Sequence, residues 1–317
     1  MNKLNVSISP HIRSGNTTAG IMLDVIIALI PALIASVYHF GFRAFYITAV
    51  CVLSCVLGEL AFQLIAKRDI AIGDLSAVVT GMLLAFNLPV TIPEWQAIIG
   101  SLVAIVVVKE LFGGIGFNFA NPAGTARIMM LVAFSGTMTN WTEPHHTDLV
   151  TTATPLSLIA EGDTDNLPTF FRMIIGDRAG SMGETCAIAL VFGFVYLLCR
   201  KVITWHTPVV FVVTAFVFTY LATGFDFKSA VYQVLAGGLL LGAIFMATDY
   251  ATTPPTAWGK VIFGFGCGII TVAVRLWGSN PEGVSFAILF MNILTPYISK
   301  LTKHRIFGAN KPKKKKA

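Results

Sequence analysis

Residues 81–93 read GMLLAFNLPVTIP, residues 242–254 read GAIFMATDYATTP, and the two strings align without a gap. Outward from them the correspondence continues: Trp95 matches Trp258, and Leu111-Phe112-Gly113 matches Leu276-Trp277-Gly278, at an offset that stays between 161 and 165. A self-similarity at constant spacing marks an internal repeat. Each copy holds five apolar runs, and an odd number of crossings forces the second copy into a membrane the opposite way round. Folds of that kind place ligands near the midplane, on broken helices at the interface of the halves.

The membrane reading rests on composition. Of the 317 residues 55% are apolar and only 12% charged, against roughly 25% charged in a soluble domain. Mean hydropathy of +0.76 excludes a disordered chain, which is poor in apolar residues and rich in net charge. At about 20 residues per span there is no room for a separate soluble domain. Continuous apolarity predicts helices near 20–40, 43–66, 74–90, 95–109, 121–135, 184–199, 202–223, 229–248, 258–275 and 283–299. The expected fold is therefore an all-α polytopic membrane protein with about ten transmembrane helices, arranged as two inverted five-helix repeats. Runs as short as 122–134 and 261–274 are below spanning length, which predicts broken or half helices.

The division that follows is a cytoplasmic segment 1–19, a first repeat 20–135, an extracytoplasmic loop 136–183, a second repeat 184–299 and a basic cytoplasmic tail 300–317. Orientation comes from Lys and Arg, which accumulate in cytoplasmic loops. With the N-terminus inside, 16 of the 22 basic residues, Lys109 among them, fall inside and five fall outside, so both termini are expected in the cytoplasm. No signal peptide is expected, because the polar first 19 residues lead into an apolar run without a small-residue cleavage site. The tail KPKKKK suits anionic lipid better than nucleic acid, since each basic residue near such a surface is worth about 1 kcal/mol.

The five cysteines sit in apolar runs, where neither a disulfide framework nor a metal site is expected, although Cys51 and Cys55 share a helical face. Helix breaks are expected at 74–89, at GGIGFNFANPAGTAR (113–127) and at ATDYATTPP (247–255). Asn118 and Asn121, three residues apart, either present carboxamides to a planar heterocycle or an ion, or cap a buried helix end. Asp24, Glu59 and Arg127 interrupt apolar runs, and an intramembrane charge is a functional hypothesis by default. Arg127, deep in its run, needs a partner. His145-His146 read as ordinary loop residues, because adjacent side chains diverge on either a helix or a strand.

Five motifs in order, Ser9-Pro10-His11, GDLSAVVTGMLLAFNLP (73–89), GGIGFNFANPAGTAR (113–127), FMATDYATTP (245–254) and EGVSFAILFMN (282–292), together resemble the D subunits of Rnf complexes. Those complexes are ion-translocating ferredoxin:NAD oxidoreductases, and their D subunits are similar to the B subunits of sodium-translocating NADH:quinone reductases. The resemblance implies a ten-span subunit of the cytoplasmic (inner) membrane. It would carry FMN, joined through its phosphate to a threonine in a Ser/Thr-x-Ala-Thr motif. Here that string is Thr151-Thr152-Ala153-Thr154, and Thr154 is the implied attachment site. A threonine hydroxyl without a neighbouring base is a poor nucleophile, so a separate flavin transferase acting on an exposed loop is expected to make the ester. The resemblance and the repeat together suggest a second, noncovalent flavin, riboflavin or FMN, held by Asn118 and Asn121 with Asp249 and Thr252 of the matching break. The resemblance also implies other Rnf subunits as partners, since this chain has neither iron–sulfur cysteine spacing nor a nucleotide-binding domain. The expected activity is electron transfer between ferredoxin and NAD coupled to movement of Na⁺ or H⁺. A cofactor-free secondary transporter and a structural scaffold are the rival readings.

Overall fold

The structure is a computed structural model that describes residues 15, 17–144, 152–161, 167–278 and 282–303. The described residues form helices and loops with no β-strand. Helix α1 (Thr18–Phe40) starts where the Thr17 hydroxyl accepts the Gly20 N–H at 3.1 Å, and it ends at Gly41. Helix α2 (Phe42–Ile65) follows at once. After the chain turns at Ile72–Asp74, Leu75 takes a left-handed conformation (φ 62°) and the short helix α3 (Ser76–Phe86) enters the core. Helix α4 (Glu94–Leu102) runs on without a stop as a π-helix over Val103–Glu110. Helix α5 (Pro122–Ala133) opens on a proline, whose missing N–H is no loss at that position.

The connecting segment carries three short helices, α6 (Ser135–Met138), α7 (Pro155–Glu161) and α8 (Phe170–Ile175). The second half comprises α9 (Ala187–Cys199), α10 (His206–Ala222), α11 (Phe227–Leu235), α12 (Leu239–Leu241, continued as a π-helix over Gly242–Met246), α13 (Ala257–Trp277) and α14 (Val284–Leu301). Each of the ten expected segments thus contains helix. Four of them, α1, α2, α13 and α14, are long and apolar enough to cross a membrane by themselves. Helices α11 and α12 pass that test only as a pair, bent by 62°. The 13 residues of α9 reach about 20 Å at 1.5 Å per residue, short of a 30 Å hydrocarbon layer.

Within the first half α2 packs against α3 and α4; within the second, α10 packs against α11 and α13. The halves meet where α1 lies against α9 and α5 against α14. One apolar core joins α1, α2, α3 and α5 to Leu190, Leu241 and Phe245, while a second gathers α10, α13 and α14 around Phe211 and Phe263. The α1–α9 contact depends on Gly193, where a β-carbon would collide with the Ala28 carbonyl oxygen and come within 2.9 Å of the Phe245 ring. Gly193→Val should therefore wedge α1 from α9 and destabilise the folded chain by about 1–3 kcal/mol or more. Gly136, where a methyl group would meet nothing within 4 Å, should accept alanine without loss. Thermal unfolding of the two variants in detergent checks this pair of outcomes.

Candidate functional site

Two helix breaks come together to shape a cavity of about 400 Å³, bounded by α1, α3, α5 and α9 and by the stretch that follows α12. Its walls are apolar, with Met22, Val79, Leu83 and Phe245 among them. Polar groups enter from both halves: Asn118 and Asn121 from the first, Thr248 and Asp249 from the second. Asn121 is the N-cap of α5; its Oδ1 accepts the Gly124 N–H at 3.0 Å and its amide donates to the Met246 carbonyl at 3.2 Å. It therefore serves as the helix cap that one of its two sequence readings described, and in doing so ties α5 to the π-helical end of α12. Asn118 is different, because its buried Oδ1 has no partner. Asp249 accepts the Ala251 N–H at 3.3 Å, while Thr252 donates to its other oxygen at 3.2 Å. Thr252 is buried but does not line the cavity, so it orients Asp249 and touches nothing placed there.

Thr154 stands immediately before α7. Its hydroxyl accepts the Ser157 N–H at 3.2 Å, and only 8% of the residue is exposed. That differs from the exposed loop expected from the sequence, for a packing reason. Leu156 of α7 lies in a small core with Met173 of α8 and with Tyr232 and Ala236, which draws the segment against α11. Beside Thr154 a second cavity, also about 400 Å³, is lined by Thr152, Ala153, Arg172, Asp177 and Arg178. Arg178 is buried and donates to the Glu184 carbonyl at 2.9 Å. Burial pushes its guanidinium below the ordinary value, and the Glu184 carboxylate opposes that shift. Thr151, His145 and His146 lie outside the described residues.

The charges singled out inside the apolar runs all have partners. Asp24 meets Arg200 at 3.1 Å and accepts the Tyr196 hydroxyl at 2.9 Å, joining α1 to the end of α9. Arg127 donates to Asn87 Oδ1 at 3.0 Å and is ion-paired with Glu282 across the halves. Glu59 pairs with Lys109 at 2.7 Å, both essentially without exposure (1% and 2%). The count of basic residues puts Lys109 among the cytoplasmic loop bases; the structure corrects this, because the π-helix carries it inward. Arg178 and Arg275, counted outside, are buried as well, so the excess of inside bases keeps its sign. Sequence reasoning also passes over Glu184 and Gln233, which face these arginines from a polar loop and a short helix. Their one signal is negative: buried arginines require acceptors, and few others are available.

Comparison with known proteins places these features in a family. Residues 5–308 match the model of the NQR2, RnfD, RnfE family. The chain is 46% identical to the D subunit of the Na(+)-translocating ferredoxin:NAD(+) oxidoreductase complex of Acetobacterium woodii, over 99% of both chains. It is 39% identical to the D subunit of the proton-translocating ferredoxin:NAD(+) oxidoreductase complex of Clostridium ljungdahlii, over 98% of both. It is 34% identical to the D subunit of the ion-translocating oxidoreductase complex of Halorhodospira halophila, over 94% of both. Losing one partner of a buried pair costs about 3–5 kcal/mol, so Arg127→Leu should lower the unfolding temperature sharply, and adding Glu282→Gln should recover part of the loss by removing the stranded carboxylate. Calorimetry or a thiol-dye melt of the three proteins reads this directly. From the match along nearly its whole length and the identity to these relatives, the chain belongs to the NQR2, RnfD, RnfE family.

Proposed function

We propose that this chain is the D subunit of an ion-translocating ferredoxin:NAD oxidoreductase, and that within that complex it carries flavin. Membership in the family and the names of its relatives support the first part: a membrane subunit of a multi-subunit translocase that couples electron transfer to movement of Na⁺ or H⁺. The observation that carries the second is the meeting of Asn118, Asn121 and Asp249 in one apolar-walled cavity, with an unpartnered buried acceptor at Asn118. Apolar walls with a few polar groups suit a largely apolar heterocycle, so the residues present fit a noncovalent riboflavin or FMN. Asn118 and Asp249 would hold it by hydrogen bonds and Asn121 would fix the wall. A bound flavin supplies one- and two-electron chemistry, while the protein supplies position and electrostatics.

Thr154 is the proposed site of the covalent FMN. The bond would run from Thr154 Oγ1 to the phosphorus of the flavin phosphate; with a flavin dinucleotide as donor the P–O–P bond breaks as it forms, and the nucleoside monophosphate leaves with the hydroxyl proton, while Arg172 and Arg178 of the adjoining cavity would face the phosphate's charge. A flavin transferase reaches this hydroxyl only when α7 is lifted from α8 and α11. Thr154→Ala should abolish flavin fluorescence of the denatured chain in a gel and leave the tryptic peptide ending at Arg172 unmodified. A fluorescent variant would move the covalent flavin to another residue, whereas an unmodified wild-type peptide after co-expression with a transferase would remove Thr154 from the proposal and favour the cofactor-free transporter.

The ten-span inverted repeat completes the reading. Its support is that Leu75 and Gly237, 162 positions apart, are both left-handed (φ 62° and 66°) just ahead of half-length helices. Equivalent helices also make equivalent contacts in the two halves. With both termini cytoplasmic, Glu161→Cys should react with an impermeant thiol reagent from the outer side alone; labelling from the cytoplasmic side only would reverse the topology. The partners in this reading are the other subunits of the complex and, for the basic KPKKKK string, anionic lipid.

A further inference from the structure

Among the described residues lining the cavity, Lys109 is the one cationic side chain and Asp249 the one carboxylate. Lys109 reaches the wall from the π-helical end of α4, in a setting that a structural role alone does not require. Its ammonium donates to Glu59 Oε1 at 2.7 Å and to Ser76 Oγ at 2.6 Å. Ser76 in turn donates to Asp74 Oδ1 at 2.6 Å, and Gln63 bridges Glu59 (3.2 Å) to Glu110 (3.4 Å). An ammonium has three N–H donors, and only two are taken by these contacts. Glu59 Oε2 is buried with no partner at all. A buried ion pair is a weak source of stability compared with apolar packing of the same volume, and intramembrane charges are retained mainly where they act.

We propose that Lys109 is the electrostatic determinant of how readily the occupant of this cavity accepts electrons, and that Glu59 is the positioning residue that holds the ammonium at the wall and partly cancels its charge. The inference rests on the flavin reading of the cavity. Adding an electron to a group in a low-dielectric site adds negative charge, which a nearby cation favours and a nearby anion opposes. The two residues must therefore act with opposite sign: removing the lysine charge makes reduction harder, and neutralising the glutamate makes it easier. A purely structural pair would not behave this way, since loss of either partner would loosen the same three helices.

The test uses the full-length chain in detergent with Thr154→Ala as background, so that any remaining flavin is the noncovalent one. Flavin content by acid extraction and midpoint potential by spectroelectrochemical titration are measured for that parent and for Lys109→Met, Lys109→Arg and Glu59→Gln. Lys109→Met should weaken the equilibrium for the first electron at least tenfold, about 59 mV to more negative potential for one electron. Lys109→Arg should stay near the parent, and Glu59→Gln should move the opposite way. If Lys109→Met does not retain flavin, the contrast between Glu59→Gln and Lys109→Arg decides. Flavin retained with potentials unmoved, or moved in the same direction by both charge removals, overturns the role of Lys109 and leaves the cavity reading standing. A parent that releases no flavin overturns the cavity reading and this one with it.

Discussion

A helix that ends inside an apolar layer strands backbone N–H and C=O groups where no water can reach them. Among the described residues the helical path is interrupted ahead of α3 and between α11 and α12, and much else in the structure answers that cost. At the second break Arg275 donates to the Ala236 carbonyl at 3.1 Å and to the Gln233 backbone, covering the end of α11. Only glycine fits at position 237, because a β-carbon there would meet Leu156 at 2.6 Å and the Arg275 guanidinium at 2.9 Å. At the first break the Ala71 N–H donates to the Gln63 side chain at 3.0 Å, and Asp74 takes the Ser76 N–H at 2.8 Å. Several of the buried charges thus gather at the interruptions, while Asp24 is held apart from them by Tyr196 and Arg200 at the end of α9.

From these two places the polar groups extend toward the cavity and the outer segment. Asn121 binds the Met246 carbonyl, Asn87 donates to the Met246 sulfur at 3.5 Å, and Arg127 donates to Asn87. Gly238 lets Arg127 and Glu184 approach the α11–α12 bend, at 3.3 and 3.2 Å from where a side chain would begin. The groups that line the cavity and those beneath Thr154 therefore share one buried scaffold. Each half supplies residues the other lacks, so neither half could form the cavity alone.

The helices and their interruptions were readable because both are written in local signals: continuous apolarity for the one, Gly, Pro and Asn clusters for the other. Asn118 and Asn121 were readable from the break at 113–127 and Asp249 from the one at 247–255, although at the repeat's offset Asp249 corresponds to Leu88, so it is the packing of the two halves and not the repeat that brings the three together. Lys109 is misread from sequence because Lys-Glu after VAIVVV and before Leu-Phe-Gly-Gly looks like the end of a span; nothing local says that the helix widens there. Arg178 and Glu184 are hidden differently, in a loop whose polar composition is ordinary and whose burial comes from α3, where Gly183 donates to the Phe86 carbonyl at 3.0 Å. Thr154 stands out by its motif, while its burial under α7 depends on Leu156 meeting residues of two distant helices. Long-range contacts of this kind leave no mark on the residues that make them.

The π-helix at Val103–Glu110 has a bearing on how this region tolerates change in chain length. Its wider turn holds about one residue more than an α-helical turn would. Deleting a single residue between Val103 and Val108 would remove that surplus and let the segment relax to the ordinary 3.6 period, with Lys109 and Glu110 still facing Glu59 and Gln63. Inserting one would overfill the turn and rotate everything beyond it by about 100°, carrying both residues away from their partners. A segment that reads as interchangeable Val, Ala and Ile thus tolerates a shorter chain better than a longer one.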